Sequence, residues 1–501
     1  MKTLKNDWKL GAAVGTALSL GSAGAIAGPH GFDLHNVLNG ASASLAGTSI
    51  AHTEDPVSAV FGNPATLAQY FGGTNFAFGA TFYMPRAQMV HDGSAGNAVT
   101  QLGGSYTNNG GIANTANRGQ IYAFDSRSAA DVYAVPAVAV TQDLSGLGIP
   151  VVLGVGLTAT NGIGVDYRHS SNSIGAGAEL INLGVNAGIG MKMSDTLDVG
   201  VALTITYAML EAGLTGSGNQ VHDIGFRGTF GVRKHMGPTT IGLYYNTELK
   251  HEYDNLHVTS MHGDNPFGSQ TSVAGNVAVK CNADENRTVC RQDVQAEQPW
   301  NVGLGIAHNL DANTLVMVDF THKKWSEAKF FNEFYDDQNV VSIGIQKTMG
   351  NLKLRAGYGY ADDPLLGTVE QGRQVASIGG VNIQGNTYSS PMYGLFMSYF
   401  QAMETPVIYK HRVSVGLGVE SFLGVPFLSL DTHAAIQLEE DKCFGSGQAN
   451  YTTSTYESTG TNVAKGTAIA GGLAHRGCTS LDHTKATVSS FHLGGALTWS
   501  F

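Results

Sequence analysis

Along the closing stretch Thr487 to Phe501, two interleaved series of residues alternate. Phe491, Leu493, Gly495, Leu497, Trp499 and Phe501 form one; Ser490, His492, Gly494, Ala496, Thr498 and Ser500 form the other. A period of two with one apolar face and one small or polar face predicts a β-strand. Aromatics at the end of the apolar face are what a lipid-facing strand carries near a membrane interface. The pattern recurs upstream. Ile181, Leu183, Val185, Ala187, Ile189 and Met191 oppose Asn182, Gly184, Asn186, Gly188, Gly190 and Lys192. After the turn Ser194-Asp195-Thr196, Leu197, Val199, Val201, Leu203, Ile205 and Tyr207 oppose Asp198, Gly200, Ala202, Thr204 and Thr206. This is a hairpin with one fully apolar face. A soluble sandwich could share the alternation, but strands of this length favour a membrane barrel, whose strands need about 9–11 residues.

Further strands are predicted at Asn75–Met84, Val132–Val140, Val151–Thr158, Ile224–Arg233, Thr239–Leu249 and Trp300–His308. Others follow at Thr314–Trp325, Val340–Lys347, Leu352–Tyr360, Arg412–Ser421 and Phe427–Leu438, for about fourteen in all. The connections alternate in length. Short ones read SDT, KHMGP, LDAN, MGN and LGVP; the longest are Lys250–Pro299, Ala361–His411 and Glu439–Lys485. Short turns at one end and long loops at the other mark an outer-membrane barrel. With the last strand ending the chain, both termini are expected on the periplasmic, short-turn side. From Gly28 to Gly73 the alternation is absent, and Ala, Ser and Gly dominate. There Asp55-Pro56 predicts a capped helix start and Asn63-Pro64 a turn. The expected organisation is a signal peptide (1–27), a small N-terminal element (28–73) and a transmembrane barrel (74–501).

Composition supports this frame. Charged residues make up only 13% of the chain and glycine contributes 66 residues, where a soluble globular chain carries nearer 25% charge. Lys2, Lys5 and Lys9, the small apolar run Leu10–Leu20 and Ala25-Ile26-Ala27 predict an export signal cleaved after Ala27. Cleavage removes three lysines and one aspartate, leaving 25 basic and 38 acidic residues. So acidic a chain argues against a nucleic-acid partner. In an exported protein the four cysteines read as two local disulfides, Cys281/Cys290 and Cys443/Cys478, stapling external loops.

No tight ligand spacing predicts a metal site, and no cofactor is expected. His251, His257 and His262 read as solvated loop residues. Lys323-Lys324-Trp325 reads as a solvated strand end, with an interface anchor for lipid as the alternative. His492 shares a polar face with Ser490 and Ser500, the ingredients of a barrel lipase, but no G-x-S-x-G elbow is present and the chain is expected not to be an enzyme.

The residues resemble the FadL-type outer-membrane transporters of long-chain fatty acids and other hydrophobic compounds. A strand ending on a C-terminal Phe is itself similar to the terminal signal of outer-membrane barrels. The most specific segment is Asp55 to Ala68, DPVSAVFGNPATLA, which carries the family's NPA motif at Asn63-Pro64-Ala65. Gly31-Phe32-Asp33-Leu34 looks like the family's mature N-terminus; the hairpin up to Tyr207, IGLYYNTELK, Trp325-Ser326 and Ala361-Asp362-Asp363-Pro364 are also similar. The resemblance implies an all-β, monomeric, fourteen-stranded transmembrane antiparallel barrel in the bacterial outer membrane, among lipopolysaccharide and lipid, closed by a helical hatch inside it. It implies Asn63, Pro64, Ala65, Asp55 and Phe61 as hatch and gating residues and Phe32 and Leu34 as substrate contacts. The implied activity is passive, hatch-gated diffusion of hydrophobic small molecules, long-chain fatty acids first, with sideways release through a gap in the wall. The basic residues expected near the pocket of fatty-acid carriers are missing from AMLEAGL after Tyr207, so a neutral hydrocarbon is the other ligand class. A non-selective porin and a surface adhesin or phage receptor are the alternative functions.

Overall fold

The computed structural model describes residues 40–91, 124–170, 177–212, 220–260, 280–284, 287–333, 335–365, 381–383, 386–388, 401–402, 406–445, 477–478 and 482–501. Its first strands are β1 (Thr74–His91), β2 (Phe124–Arg127), β3 (Tyr133–Asp143), β4 (Val152–Asp166), β5 (Gly177–Ser194), β6 (Leu197–Ala212) and β7 (Val221–Met236). Then come β8 (Thr239–Asn246), β9 (Leu249–Ser260), β10 (Lys280–Asp284), β11 (Arg287–Gln298), β12 (Asn301–Asp311) and β13 (Thr314–Lys323). The chain ends with β14 (Gln338–Met349), β15 (Leu352–Ala361), β16 (Val381–Ile383), β17 (Asn386–Tyr388), β18 (His411–Val419), β19 (Leu428–Gly445) and β20 (Asp482–Ser500). Among the described residues ahead of them lie one α-helix, α1 (Pro56–Phe61), and 3-10 turns at Ser42–Leu45 and Pro64–Tyr70.

Fourteen strands close into one antiparallel barrel, in the order β1, β20, β19, β18, β15, β14, β13, β12, β8, β7, β6, β5, β4, β3, with β3 pairing back to β1. These are the fourteen segments the alternation predicts. The terminal strand seals against the first from Asn75 opposite Ser500, and the Thr74 amide donates to the Phe501 carbonyl at 3.1 Å. Several strands outrun their predicted bounds at the long-loop end: β19 extends to Gly445 and β20 begins at Asp482. There both faces are polar, as in LEEDKCFG, so the period-two signal fades while the ladder continues. The same blindness hides β2, the three-stranded β10–β11–β9 sheet and the β16–β17 pair, all inside predicted loops.

The barrel is inside-out relative to a soluble domain. Phe226, Phe230, Leu203 and Leu493 lie at least 49% exposed on its outside, while Asn186, Thr206, Asp319, His433 and Gln437 are buried inside. An exposed apolar belt over a polar interior is stable where the outer solvent is lipid. No helix among the described residues is long and apolar enough to cross a membrane. Residues from Gly40 to Ala68 fill the lumen, with Leu45, Val57, Val60, Asn63 and Leu67 fully buried. The wall meets them with glycines. A Cβ on Gly231 would fall on the Asn63 side chain, and one on Gly200 would fall on the Pro64 backbone. The polar faces of the strands are therefore small where the segment must fit.

Candidate functional site

Asp55 organises the lumen segment. Its carboxylate accepts from the Ser58 amide and hydroxyl, both at 2.8 Å, and from the amides of Ala41 and Ser42 at 2.9 and 3.2 Å. It is the N-cap of α1, with Pro56 in the first turn, as the Asp55-Pro56 pair predicts. Burial pushes its carboxyl above the ordinary value, while donors from Ser58 and Ser42 pull the other way. Asn63 does a similar job one turn later. Its Oδ1 accepts from the Ala65 amide at 3.1 Å, and its Nδ2 donates to the carbonyls of Ile50 at 2.8 Å and, across to the wall, Val232 at 3.4 Å. Asp55, Phe61, Asn63, Pro64 and Ala65 thus come together in one packed unit.

Wall side chains hold the segment's first half. Asp319 on β13 accepts from the amides of Ser49 and Ile50 at 2.7 and 3.0 Å. Arg233 on β7 donates to the Ala51 carbonyl at 2.7 Å and pairs with Asp198 at 3.1 Å. On β18, Ser414 accepts from the Ala46 amide at 2.9 Å and donates to the Ser44 carbonyl at 3.0 Å, while Arg412 reaches the Ala43 carbonyl at 3.0 Å. Glu54 lies 3.0 Å from Lys353 and 3.5 Å from Arg355 on β15, and Arg355 is itself 2.5 Å from Asp431. Burial works to raise the Glu54 carboxyl, but the His52 hydrogen bond and the Lys353, His52 and Arg355 charges outweigh it and hold it below the ordinary range.

Between β3 and β4 the wall is incomplete. Their ladder runs from Asp143 opposite Val152 to Ala137 opposite Thr158 and stops. Beyond it β3 pairs only with β1, and β4 continues to Asp166 paired only with β5. The in–out burial rhythm of β4 also ends there: from Thr158 to Val165 every residue is buried, while the strand stays paired to β5. A bulge between Ala159 and Asn161 coincides with the change. Beside the break lies a buried apolar cluster of Tyr83, Tyr133, Val135 and Ala159, with Leu183 packed against it. Its far end is tied shut where the Ala129 amide donates to the Asp166 carbonyl at 2.7 Å. A pocket of about 270 Å³ lies at that end, lined in part by Tyr133, Val165, Arg168 and Glu211. Two signals in the chain mark this spot: Pro136, which cannot donate to a ladder, and the unalternating run Thr158–Gly164.

The buried part of β4 meets the lumen segment at a small cavity of about 20 Å³, room for about one water. Phe61 contributes to its lining from the lumen segment, Thr160 and Asn161 from β4, Thr204, Thr206, Arg227 and Thr229 from β6 and β7, and Leu249 from β9. Arg227 was no candidate in the sequence. It donates to the carbonyls of Thr247 and Pro299 at 2.9 and 3.0 Å, in the two breaks where β8 gives way to β9 and β11 to β12. The structure corrects several readings. His251 is not solvated but buried against Gly225, 3.2 Å from the Thr206 hydroxyl. Lys323 and Trp325 are buried, so neither is a solvated strand end or an interface anchor. Ser490 does lie 2.9 Å from His492 Nε2, but Gln437 approaches that same nitrogen rather than Nδ1, so it does not orient the ring as a triad requires. Cys443 and Cys478 are bonded, closing a 35-residue separation. Cys281 sits opposite Cys290 in the β10–β11 register, and their side chains lie outside the described part. Phe32, Leu34 and the signal segment also fall outside the described residues.

No family model matches the sequence, and no curated protein is similar enough to match. Solved structures do match. The Pseudomonas putida toluene transporter TodX aligns with a TM-score of 0.54 at 15% identity, covering 93% of this chain and 99% of TodX. A Pseudomonas aeruginosa FadL homologue gives 0.55 at 14% identity, and the Ralstonia pickettii toluene transporter TbuX 0.52 at 15%, with the same coverages. The chain has the FadL-type fold.

Proposed function

We propose that this protein carries hydrophobic small molecules across the bacterial outer membrane by passive diffusion, with residues 28–73 as a hatch. The break between β3 and β4 carries the reading. A water-filled pore gives an apolar solute no favourable path, whereas apolar contact stabilises it by about 25 cal/mol per Å². In this reading the solute leaves the lumen through the break by displacing the buried apolar cluster of Tyr83, Tyr133, Val135 and Ala159, which replaces the contacts it gives up. A lumen packed from Gly40 to Ala68 disfavours the non-selective porin.

In this reading Asp55, Phe61, Asn63, Pro64 and Ala65 gate the passage, and Phe32 and Leu34 touch the ligand. Both termini are periplasmic, the barrel is a monomer, and the long loops face lipopolysaccharide. The ligand is a neutral hydrocarbon or a long-chain fatty acid. TodX and TbuX, described as toluene transporters, favour the first; the FadL homologue keeps the second. The test is a cysteine pair across the break, Val135→Cys with Ala159→Cys. Uptake of radiolabelled toluene and of oleate by cells carrying the variant should fall to background when the pair is oxidised and return on reduction. Unchanged uptake in the oxidised state would remove the break from the route.

A further inference from the structure

We infer that the hatch is divided into a fixed half, residues 43–54, and a moving half, residues 56–68, with Asp55 as the joint. This rests on the hatch reading above and goes beyond it by assigning which part moves. The two halves are held by different chemistry. The first is gripped by charged or ionisable wall groups: Arg412 on the Ala43 carbonyl, Asp319 on the Ser49 and Ile50 amides, Arg233 on the Ala51 carbonyl, and Lys353 and Arg355 on Glu54. Each wall group is more than nine-tenths buried except Lys353, and removing one partner of such a contact strands a buried charge. The grips come from β7, β13, β15 and β18, so they surround the half from several directions.

The second half meets the wall mainly through apolar surface. Val57, Val60, Phe61 and Leu67 pack on Ala77, Ala137, Ala139 and Val152. The polar ties that reach it from the wall among the described residues are neutral: Asn186 donates to the Val60 carbonyl, and Asn63 donates to the Val232 carbonyl at the long distance of 3.4 Å. Apolar contacts are non-directional and re-form after a shift, whereas a buried ion pair has one good geometry. The moving half is also the one beside the passage. Phe61 lines the cavity and lies against β4 at Gly156, two residues before the ladder to β3 stops. Withdrawal of Phe61 would enlarge the cavity while residues 43–54 continue to block the rest of the lumen.

Two cysteine pairs separate the halves. Asn186 donates to the Val60 carbonyl and Ser414 to the Ser44 carbonyl, so each pair lies within reach of a short, reducible thiol cross-linker. Val60→Cys with Asn186→Cys should lose oleate and toluene uptake when cross-linked, with recovery on reduction. Ser44→Cys with Ser414→Cys should keep uptake within twofold of its own uncross-linked state. Heat-modifiability on gels reports that each barrel is assembled, and wild type under the same reagent and reduction steps controls for the native disulfide. Equal block by both pairs, or block by Ser44–Ser414 alone, overturns the division. Absence of uptake in wild type would instead strike the transport reading. Amide hydrogen exchange on the detergent-solubilised wild type tests the division independently of uptake: amides of residues 56–68 should exchange at least tenfold faster than those of 43–54. Equal rates or the reverse order overturns it.

Discussion

Thr158 donates its hydroxyl to the Pro136 carbonyl at 3.0 Å, and this contact marks the last attachment of β3 to β4 before the wall opens. In an antiparallel pair a residue's amide and carbonyl point toward the same neighbour. The Pro136 carbonyl faces β4, so an amide at that position would face β4 too, and proline has none. Pro136→Ala should therefore let the ladder extend by one bond and narrow the opening. Uptake should fall several-fold while the assembled barrel survives heating as well as wild type or better. Faster uptake would show that the proline does not hold the break open.

Asn63 links three backbone groups, and its loss leaves the buried Ile50 carbonyl without that donor. The cost of such a loss is about 1–3 kcal/mol, small against a fourteen-strand barrel but large for a short segment. Asn63→Ala and Pro64→Ala should reduce uptake and speed proteolysis before Thr74, with gel heat-modifiability unchanged. Loss of the barrel band would mean the segment is needed for assembly rather than gating.

At Gly231 a side chain would enter the space of Asn63. Gly231→Val should displace the lumen segment and raise single-channel conductance in planar bilayers, because an emptied fourteen-strand lumen passes ions. Conductance at the wild-type level would show that the wall relaxes instead.

The Glu54 carboxyl is held below its ordinary value near 4.3. A depressed folded-state value contributes stability that is complete above the unfolded value and is lost as the pH falls through the folded one. The grip on residues 51–54 should therefore be intact at neutral pH and weaken only in strongly acidic buffer. Protease sensitivity of the lumen segment, followed from pH 7 to 3, should rise toward the acid end in wild type. Glu54→Gln should be sensitive at neutral pH and nearly flat over the range.

The Cys443–Cys478 bond ties the end of β19 to a point 35 residues further on, just before β20. Cys443→Ser with Cys478→Ser should expose the connection between β19 and β20 to protease without lowering the barrel's heat resistance, since the β19–β20 ladder below it is continuous apart from local bulges.

The barrel was legible because its solvent writes directly into the chain. Each membrane strand must alternate, so fourteen alternating runs and their short turns are visible without any contact being known. Asp55-Pro56 and Asn63-Pro64 were equally legible, because capping is satisfied within a few residues. Polar strand extensions such as Glu439–Gly445 were not, since with polar groups on both faces nothing distinguishes a paired strand from a loop.

The break in the wall stood between these cases. Pro136 and the run Thr158–Gly164 were in view, yet a proline in a strand and a lost period each admit an edge, a bulge or a loop. Only the register, with Ala137 opposite Thr158 and no β3–β4 pair beyond, made them one break. The wall's grip on Glu54, Ala51 and Ser49 lay further out of reach. Arg233 is 182 residues from Ala51 and Asp319 is 270 from Ser49, with Arg355 further still from Glu54, and on their strands they read only as polar positions on an inward face. Local alternation dictates which way a side chain points; what it meets there depends on how the barrel closes, and that is a property of all fourteen strands together.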